Sequence, residues 1–422
     1  MLKIIVIGGG LAGLSSAIAF SRSGHVVTLL EARDTFTELG AGIQMPPNAT
    51  RIMESWGLMG EVRSRGILPK IMAFRSYRGR VLHNVQLLPD LEAAFGSPYV
   101  YIHRKELLNI LVDEARRLGA TLQVDRKVVR IDVANRTIYT EKGETFTADL
   151  IIGADGENSL CRQQLLGISN NTFHPTSKLV YRFVVDPDIA HHEPQLRELF
   201  DPPTITCWMG PSSHAVAYEI PHNNIVNVAL TCPDPVPGRV QLGPRKADHA
   251  ELRTFFADWH WDPLFLKLID ASKHILYWTL LQLPEANRVW VDDTVVIIGD
   301  AAHAMPPYLG QGAAQAIEDA AFLEHLFPSN TRPDEIPSLL AIFCERRQSR
   351  TLSIREKADK AGEILQMHDG PDQVQRDGIL IEGEVTEGFP VPFADPAMQR
   401  WLYDYDVKED ATVLQVGGYL GT

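Results

Sequence analysis

The chain has 422 residues, 45% of them hydrophobic, with 40 Lys+Arg against 53 Asp+Glu and a formal net charge of −13 at pH 7. That length exceeds one ordinary domain and implies two interleaved domains or one with a large insertion. So acidic a chain is a poor partner for nucleic acid or an anionic membrane surface, which leaves small molecules as the expected ligands.

The first predicted element is the apolar strand Lys3-Ile4-Ile5-Val6-Ile7, which runs into Gly8-Gly9-Gly10-Leu11-Ala12-Gly13 and a helix through Arg22. The apolar start lacks the basic flank and cleavage-like segment of a signal peptide, and the glycine turn accounts for it. In the GxGxxG spacing, Gly8 permits a tight turn, Gly10 lets backbone approach a pyrophosphate, and Gly13 lets the helix pack close to the strand. The helix N-terminus then offers unpaired N–H groups to phosphates. Gly24 ends the helix, residues 26–30 form the next parallel strand, and Glu31 stands at its carboxyl end, placed to take ribose hydroxyls. Strand, turn, helix, strand and terminal acid together specify a dinucleotide far better than the glycines alone.

Residues 40–44, Gly40-Ala41-Gly42-Ile43-Gln44, read as a small-residue loop that either lies against a flat ring or is plain surface. A helix is predicted over 48–56, stopped by Gly57, and two strands over 72–85, turning at Arg78-Gly79. A strand at 99–104 leads into a helix over 105–118 with Leu107, Leu108, Leu111, Val112 and Ala115 on one face. Arg104 sits at that junction, where a cation faces a bound phosphate or serves as a surface ion-pair partner. Residues 121–133 and 135–147 read as a strand pair. The buried strand that begins at Asp149 ends in Asp155-Gly156, with Ser159 and Arg162 close behind.

From 178 to 283 the texture changes to alternating strands with one helical insertion, 248–270, which implies a separate sheet layer walling a second ligand. A buried strand, 294–298, then ends in Gly299-Asp300-Ala301-Ala302-His303, and a loop with Pro306-Pro307 and Gly310-Gln311-Gly312 opens a helix over 313–327. Its N-terminus is electropositive. A long helical stretch, 338–368, and an acidic, proline-punctuated tail close the chain at Trp401-Leu402-Tyr403-Asp404-Tyr405-Asp406 and beyond. The four cysteines, Cys161, Cys207, Cys232 and Cys344, lack CxxC spacing, so no metal or disulfide framework is expected and a reduced, cytoplasmic protein is. No apolar run is long enough to span a bilayer.

In order and rough spacing, Gly8 to Gly13, Asp155-Gly156 and Gly299-Asp300 resemble the three motifs of the flavin-dependent aromatic monooxygenases of the para-hydroxybenzoate hydroxylase type. Gly42-Ile43 with Pro47-Asn48-Ala49, Tyr181-Arg182, Gln311-Gly312-Ala313-Ala314 with Glu318-Asp319-Ala320, and the stretch from Trp401 to Asp406 are similar to its salicylate-hydroxylase branch, including fungal biosynthetic members. The resemblance covers nearly the whole chain. It implies an α/β fold: a Rossmann-like, glutathione-reductase-type FAD-binding domain (1–72, 97–177 and 284–335), a β-sheet substrate domain interleaved with it (73–96 and 178–283), and a C-terminal helix and tail (336–422).

The resemblance also implies one non-covalent FAD. Gly8, Gly10, Gly13 and Glu31 would hold its ADP half, with Leu11, Ala12, Ala32 and Arg33 alongside, and Arg104 would reach the sugar-phosphate side. Asp155 and Gly156 belong to a motif serving both FAD and nicotinamide, and Asp300 would bind the ribityl and pyrophosphate region. Gly42 and Ile43 would lie along the flavin, and the backbone N–H groups of Gly312, Ala313 and Ala314 would face the N1–C2 carbonyl edge. A helix N-terminus there would stabilise an anionic reduced flavin. Ala314 stands where the prototype has asparagine, a change that a backbone contact survives.

The implied chemistry is reduction of the flavin by NADH or NADPH, formation of a C4a-hydroperoxide with O2, and attack by an electron-rich ring, the cofactor carrying the difficult steps. Arg182 and Tyr218 would favour a phenolate, and the Pro307 carbonyl would accept the substrate hydroxyl, whereas His303 reads as a packed motif residue rather than a base. A phenol or phenolic acid is the expected substrate, with decarboxylating hydroxylation of a salicylate-like acid or oxidation of an indole as alternatives. A non-catalytic FAD-binding module is the rival of a different class. Halogenation is disfavoured, because Trp259-His260-Trp261-Asp262-Pro263 lacks the isoleucine of the halogenase motif. No metal ligand set is expected, and oligomeric state is unread.

Overall fold

Continuous apolar runs become the buried strands of a parallel sheet. The computed structural model describes residues 1–36, 42–168, 173–220, 225–236, 238–283 and 289–417. Its first sheet has six strands in the spatial order Val291–Asp292, Val295–Ile297, Leu150–Gly153, Lys3–Ile7, Val26–Leu30 and Thr121–Gln123, parallel except for the first. Ile5 lies between Ile151 and Thr28 in the ladder, and Val6, Leu29, Ile152 and Val296 are fully buried. Residues covered on both faces need no alternation, and these runs have none. The helix Leu11–Arg22 packs on this sheet between Arg104–Arg117 and Gly312–Leu326. At Gly13 a Cβ would stand 2.0 Å from the Gly8 carbonyl oxygen, so this close approach of helix to turn requires glycine.

The second sheet has eight strands, ordered Arg245–Lys246, Ser272–Gln282, His174–Val185, Ile225–Pro233, Ser213–Ile220, Thr204–Gly210, Ile71–Ser76 and Val81–Gln86. All neighbours are antiparallel except Thr204–Gly210 and Ile71–Ser76. That parallel pair joins the early hairpin to the later strands, so the chain enters this layer twice. One face is covered by an aromatic core that includes Trp208, Phe256, Trp261 and Phe265. The opposite face turns toward the first sheet and forms the floor of a cavity.

Several local expectations change. The helical insertion is two helices, His249–Asp258 and Pro263–Asp270, because Trp261 turns into the core and Asp262 caps the second helix while accepting from Trp208 Nε1 at 2.8 Å. The expected strand pair is divided: Thr121–Gln123 extends the parallel sheet, and Val128–Asp132, Thr137–Thr140 and Thr145–Thr147 form a small antiparallel sheet of their own. The expected loop at Gly42 is a strand, Gly42–Met45, paired with Val100–His103, while Gly40 and Ala41 lie outside the described residues. The long helix runs over Ile336–Leu365, and the tail carries three more helices, Pro371–Glu382, Pro396–Tyr403 and Val407–Gly417. No helix among the described residues is long and apolar enough to cross a membrane.

Candidate active site

The glycine turn builds one end of the site. Gly8 has φ +104° and donates its N–H to the Leu30 carbonyl at 2.8 Å, which fixes the turn to the neighbouring strand. Glu31, at the end of that strand, accepts from the N–H groups of Gly9 at 2.6 Å and Arg33 at 2.9 Å. Gly10 caps the helix Leu11–Arg22 and supplies no side-chain acceptor, so the first-turn N–H groups are left for an anion. Gly8, Glu31, Ala32, Arg33, Asp155 and Gly156 line a cavity of about 330 Å3 here.

Asp155 lines this cavity, and its carboxylate is engaged within its own loop. The Asp155 carboxylate accepts from Ser159 Oγ at 2.5 Å and from the Cys161 N–H at 3.0 Å, fixing the start of the helix Leu160–Leu165. Arg162, fully buried, donates to the Ala301 carbonyl at 3.0 Å and so ties this loop to the one carrying Asp300.

A second cavity of about 340 Å3 shares Gly10, Ala154 and Gly156 with the first, so the two form one groove. Leu11, Ala12, Gly42, Ile43 and Gln44 contribute to its walls, together with Arg104, Asp300, Gly312 and Ala313. Asp300 is exposed to this space. Burial lowers the pKa of the neighbouring Arg104 guanidinium, the Asp300 carboxylate opposes that, and the Arg182 cation adds to it. The helix Gly312–Leu326 begins without a side-chain cap, and its first residues, Gly312 and Ala313, line this cavity. Gly13 and Ala314, both predicted as contacts, line neither cavity: Gly13 lies beneath the turn, and Ala314 is fully buried behind the helix face.

A buried charge network holds this end of the groove from behind. Asp319 accepts from the Gly299 N–H at 2.9 Å and from Arg347 Nε at 2.8 Å, and bonds His303 Nε2 at 2.6 Å. Glu318 accepts from Arg347 Nη1 and Arg350 Nε, both at 2.7 Å, and from Asn48 Nδ2 at 2.6 Å. Arg350 also stacks 3.6 Å from the Tyr405 ring centroid, which is how the closing aromatic stretch joins the site. His303 belongs to this network and is absent from the lining of both cavities, as a packed motif residue would be.

The floor is a grid set by strand register. Val180, Thr231 and His214 lie across from one another in one row, and Arg182, Ala229 and Val216 form the next; Asn227 opposite Tyr218 makes the third. All eight line the cavity, with Met305 and Pro307 at its margin. Arg182 has no hydrogen-bond or ion-pair partner among the described residues, and its Nε is buried. Tyr218 packs with its ring centroid 3.9 Å from that of Tyr101, and its oxygen sits 2.2 Å from where a Gly42 Cβ would be. Burial raises its pKa, against the pull of Arg182, so Tyr218 remains a neutral hydroxyl. Sequence reasoning missed His214, Asn227, Thr231 and Met305, whereas Gln44 belongs to the loop read as lying against a flat ring. Stepping by two from Tyr218 and Arg182 along their strands reaches Val216, His214 and Val180, so strand periodicity held part of the signal.

These residues fit FAD: a two-part groove with a glycine cradle, two uncapped helix N-termini and Asp300 in the wall of the second part. The model of the FAD binding domain family matches residues 1–353. The FAD-dependent monooxygenase OpS4 of Beauveria bassiana (strain ARSEF 2860) is 35% identical over 96% of this chain and 95% of its own length. The 3-hydroxybenzoate 6-hydroxylase of Polaromonas naphthalenivorans (strain CJ2) is 28% identical over 96% of each. A salicylate hydroxylase solved as a substrate complex superposes with a TM-score of 0.77 at 23% identity, covering 98% of this chain and 97% of that one, a likeness of fold. The chain belongs to the FAD binding domain family and is an FAD-dependent monooxygenase.

Proposed function

We propose that the enzyme inserts one oxygen atom of O2 into an electron-rich aromatic ring, a phenol or phenolic acid, at the expense of NADH or NADPH. The observation that carries this reading is Arg182, a cation in the cavity floor with no partner among the described residues. A partly buried charge without a counterion calls for an anion, and a phenolate or aromatic carboxylate supplies one. The hydroxybenzoate named in the Polaromonas relative's activity carries both groups and supports the same class.

Bound FAD supplies electron transfer from NAD(P)H and the activation of O2. The polypeptide binds and orients. Arg182 stabilises the ring oxygen as phenolate, which makes the ring more nucleophilic; Tyr218 Oη donates to the same anion, and the Pro307 carbonyl accepts from a substrate hydroxyl. Val180, Val216, Ala229 and Met305 keep the reacting face apolar and exclude water. The N–H groups of Gly312 and Ala313 provide the positive end of a helix dipole for an anionic cofactor edge. Glu31, Ala32, Arg33 and the turn Gly8 to Gly13 take the ADP half, while Arg104 and Asp300 take the sugar-phosphate link, and Asp155 acts through its loop.

With these roles goes the division into a cofactor domain (1–72, 97–177 and 284–335), a substrate sheet (73–96 and 178–283) and a C-terminal region (336–422). The four cysteines are free thiols, which suits the reducing cytoplasm. The test is Arg182→Ala in the FAD-loaded enzyme. Loss of a desolvated charge partner is expected to cut kcat/KM for phenols about a hundredfold, with FAD still bound. Indole turnover that survives Arg182→Ala unchanged, with no phenol turned over by the wild type, would overturn this reading in favour of a neutral substrate.

A further inference from the structure

His214 lines the substrate cavity, and a chain of donors and acceptors decides which of its ring nitrogens carries the proton. The chain begins at Lys178, whose ammonium can only donate. Lys178 Nζ bonds Gln366 Oε1. The amide oxygen is thereby assigned to the lysine, and the Gln366 NH2 group meets His214 Nδ1 at 2.9 Å. Gln366 is itself held at the end of the long helix, its N–H donating to the Gly362 carbonyl at 3.1 Å and its carbonyl accepting from the Ser212 N–H at 2.9 Å.

His214 Nδ1 is therefore an acceptor, and a neutral ring with an acceptor Nδ1 carries its proton on Nε2. Burial first, then the Lys178 charge, lowers the imidazole pKa to about 3, so the ring is neutral at working pH. The ring also packs edge-on against Tyr308, with centroids 5.4 Å apart. Among the described residues Nε2 has no hydrogen-bond partner, although it is part of a side chain facing the cavity. Lys178, Tyr308 and Gln366 line a separate cavity of about 670 Å3, so the two side chains His214 and Gln366 bridge the partition between it and the substrate space.

We propose that His214 is a specificity-determining residue that offers a fixed neutral Nε2–H donor to an acceptor oxygen, carbonyl or ether, carried by the aromatic substrate. This rests on the phenol reading of the same cavity. The His214 row of the sheet lies one row beyond the Arg182 row, two residues or about 7 Å along the strands. A ring whose oxygen meets Arg182 thus carries the acceptor on a substituent across the ring, as an acylated phenol does. Thr231, directly opposite His214, adds a hydroxyl to the same end.

The first test is histidine-labelled nitrogen NMR of the holoenzyme, with the His214 signals assigned by their loss in His214→Gln. The expected spectrum has a pyridine-type Nδ1 and a pyrrole-type Nε2; protonation at Nδ1 overturns the proposal. The second is titration of holoenzyme, followed by the flavin absorbance, with 2,4-dihydroxyacetophenone and 4-ethylresorcinol, which differ by the carbonyl oxygen. Wild type is expected to prefer the ketone about fivefold, the worth of one hydrogen bond, and His214→Leu to lose that preference while still binding 4-ethylresorcinol. His214→Gln, whose amide can donate from the Nε2 position, is expected to keep part of it and serves if the leucine variant does not fold. An unchanged preference in His214→Leu overturns the role of His214 alone. A wild-type holoenzyme that takes neither compound overturns the phenol reading and the role of His214 with it.

Discussion

Replacing Arg347 with methionine tests whether the buried network behind the groove holds the cofactor loops. The Arg347 guanidinium touches Asp319 Oδ1 at 2.8 Å, Glu318 Oε2 at 2.7 Å and Gln315 Oε1 at 2.7 Å, and all three of the charged side chains are fully buried. Without it, Glu318 keeps Arg350 and Asn48, while Asp319 keeps only His303 and the Gly299 N–H, so one buried anion loses its compensating cation. Breaking a buried pair in this way costs about 3–5 kcal/mol. The Glu318 carboxyl points the same way: burial alone would raise its pKa, yet Arg350 and Arg347, with the Asn48 hydrogen bond, hold it at about 2 against an ordinary 4.5. Urea unfolding of wild type and Arg347→Met, followed by tryptophan fluorescence with and without FAD, measures the difference. Because Asp319 anchors the Gly299 N–H, FAD affinity is expected to fall as well. A destabilisation below about 1 kcal/mol, with FAD affinity intact, would refute the assignment of this network.

Gly13→Ala places a Cβ 2.0 Å from the Gly8 carbonyl oxygen, a backbone atom that can yield only by opening the turn; the variant is expected to lose about 2 kcal/mol or more of stability and to purify without FAD, and a stable yellow Gly13→Ala protein would contradict it. Gly42→Ala drives a methyl into Tyr218, which Tyr101 blocks from retreating, so kcat/KM is expected to fall by up to about a hundredfold with FAD bound, as steady-state kinetics on the loaded variant would show. Acid should weaken the fold through Glu318. Its folded pKa lies below the unfolded value, so its contribution is fully present above about pH 4.5 and is lost as pH falls through about 2; denaturant midpoints across that window are expected to drop more in wild type than in Glu318→Gln.

The cofactor half was legible because its signals are local. Gly8, Gly10, Gly13 and Glu31 declare a strand, turn, helix and strand within one short stretch, and the structure places Gly8, Gly10 and Glu31 at one groove end, with Gly13 beneath it. Gly299-Asp300 and the helix starting at Gly312 could be read for the same reason. The substrate half depends on pairings distant in sequence. Ile71–Ser76 lies parallel to Thr204–Gly210, and nothing within either strand announces that partner. His214 and Thr231 gain meaning only when register sets them opposite one another and Gln366 arrives from the end of the long helix. Asp155 was visible as a motif, but its carboxylate turns inward because Ser159 and the Cys161 N–H offer it a cap, a competition that spacing alone does not reveal. Glu318 and Asp319 likewise stood out in the sequence, while their partners Arg347 and Arg350 lie about 30 residues on in the chain and meet them only through helix packing.

The measurement that bears most directly on the whole account is incubation of the FAD-loaded enzyme with NADPH or NADH, a panel of phenols and phenolic acids, and isotopically heavy O2, with products weighed by mass spectrometry and hydrogen peroxide counted alongside. One heavy oxygen atom in the product of a phenol that also stimulates NAD(P)H oxidation is the result expected. Flavin-bound protein that forms only hydrogen peroxide across the panel, or a product that carries oxygen from water, would contradict it.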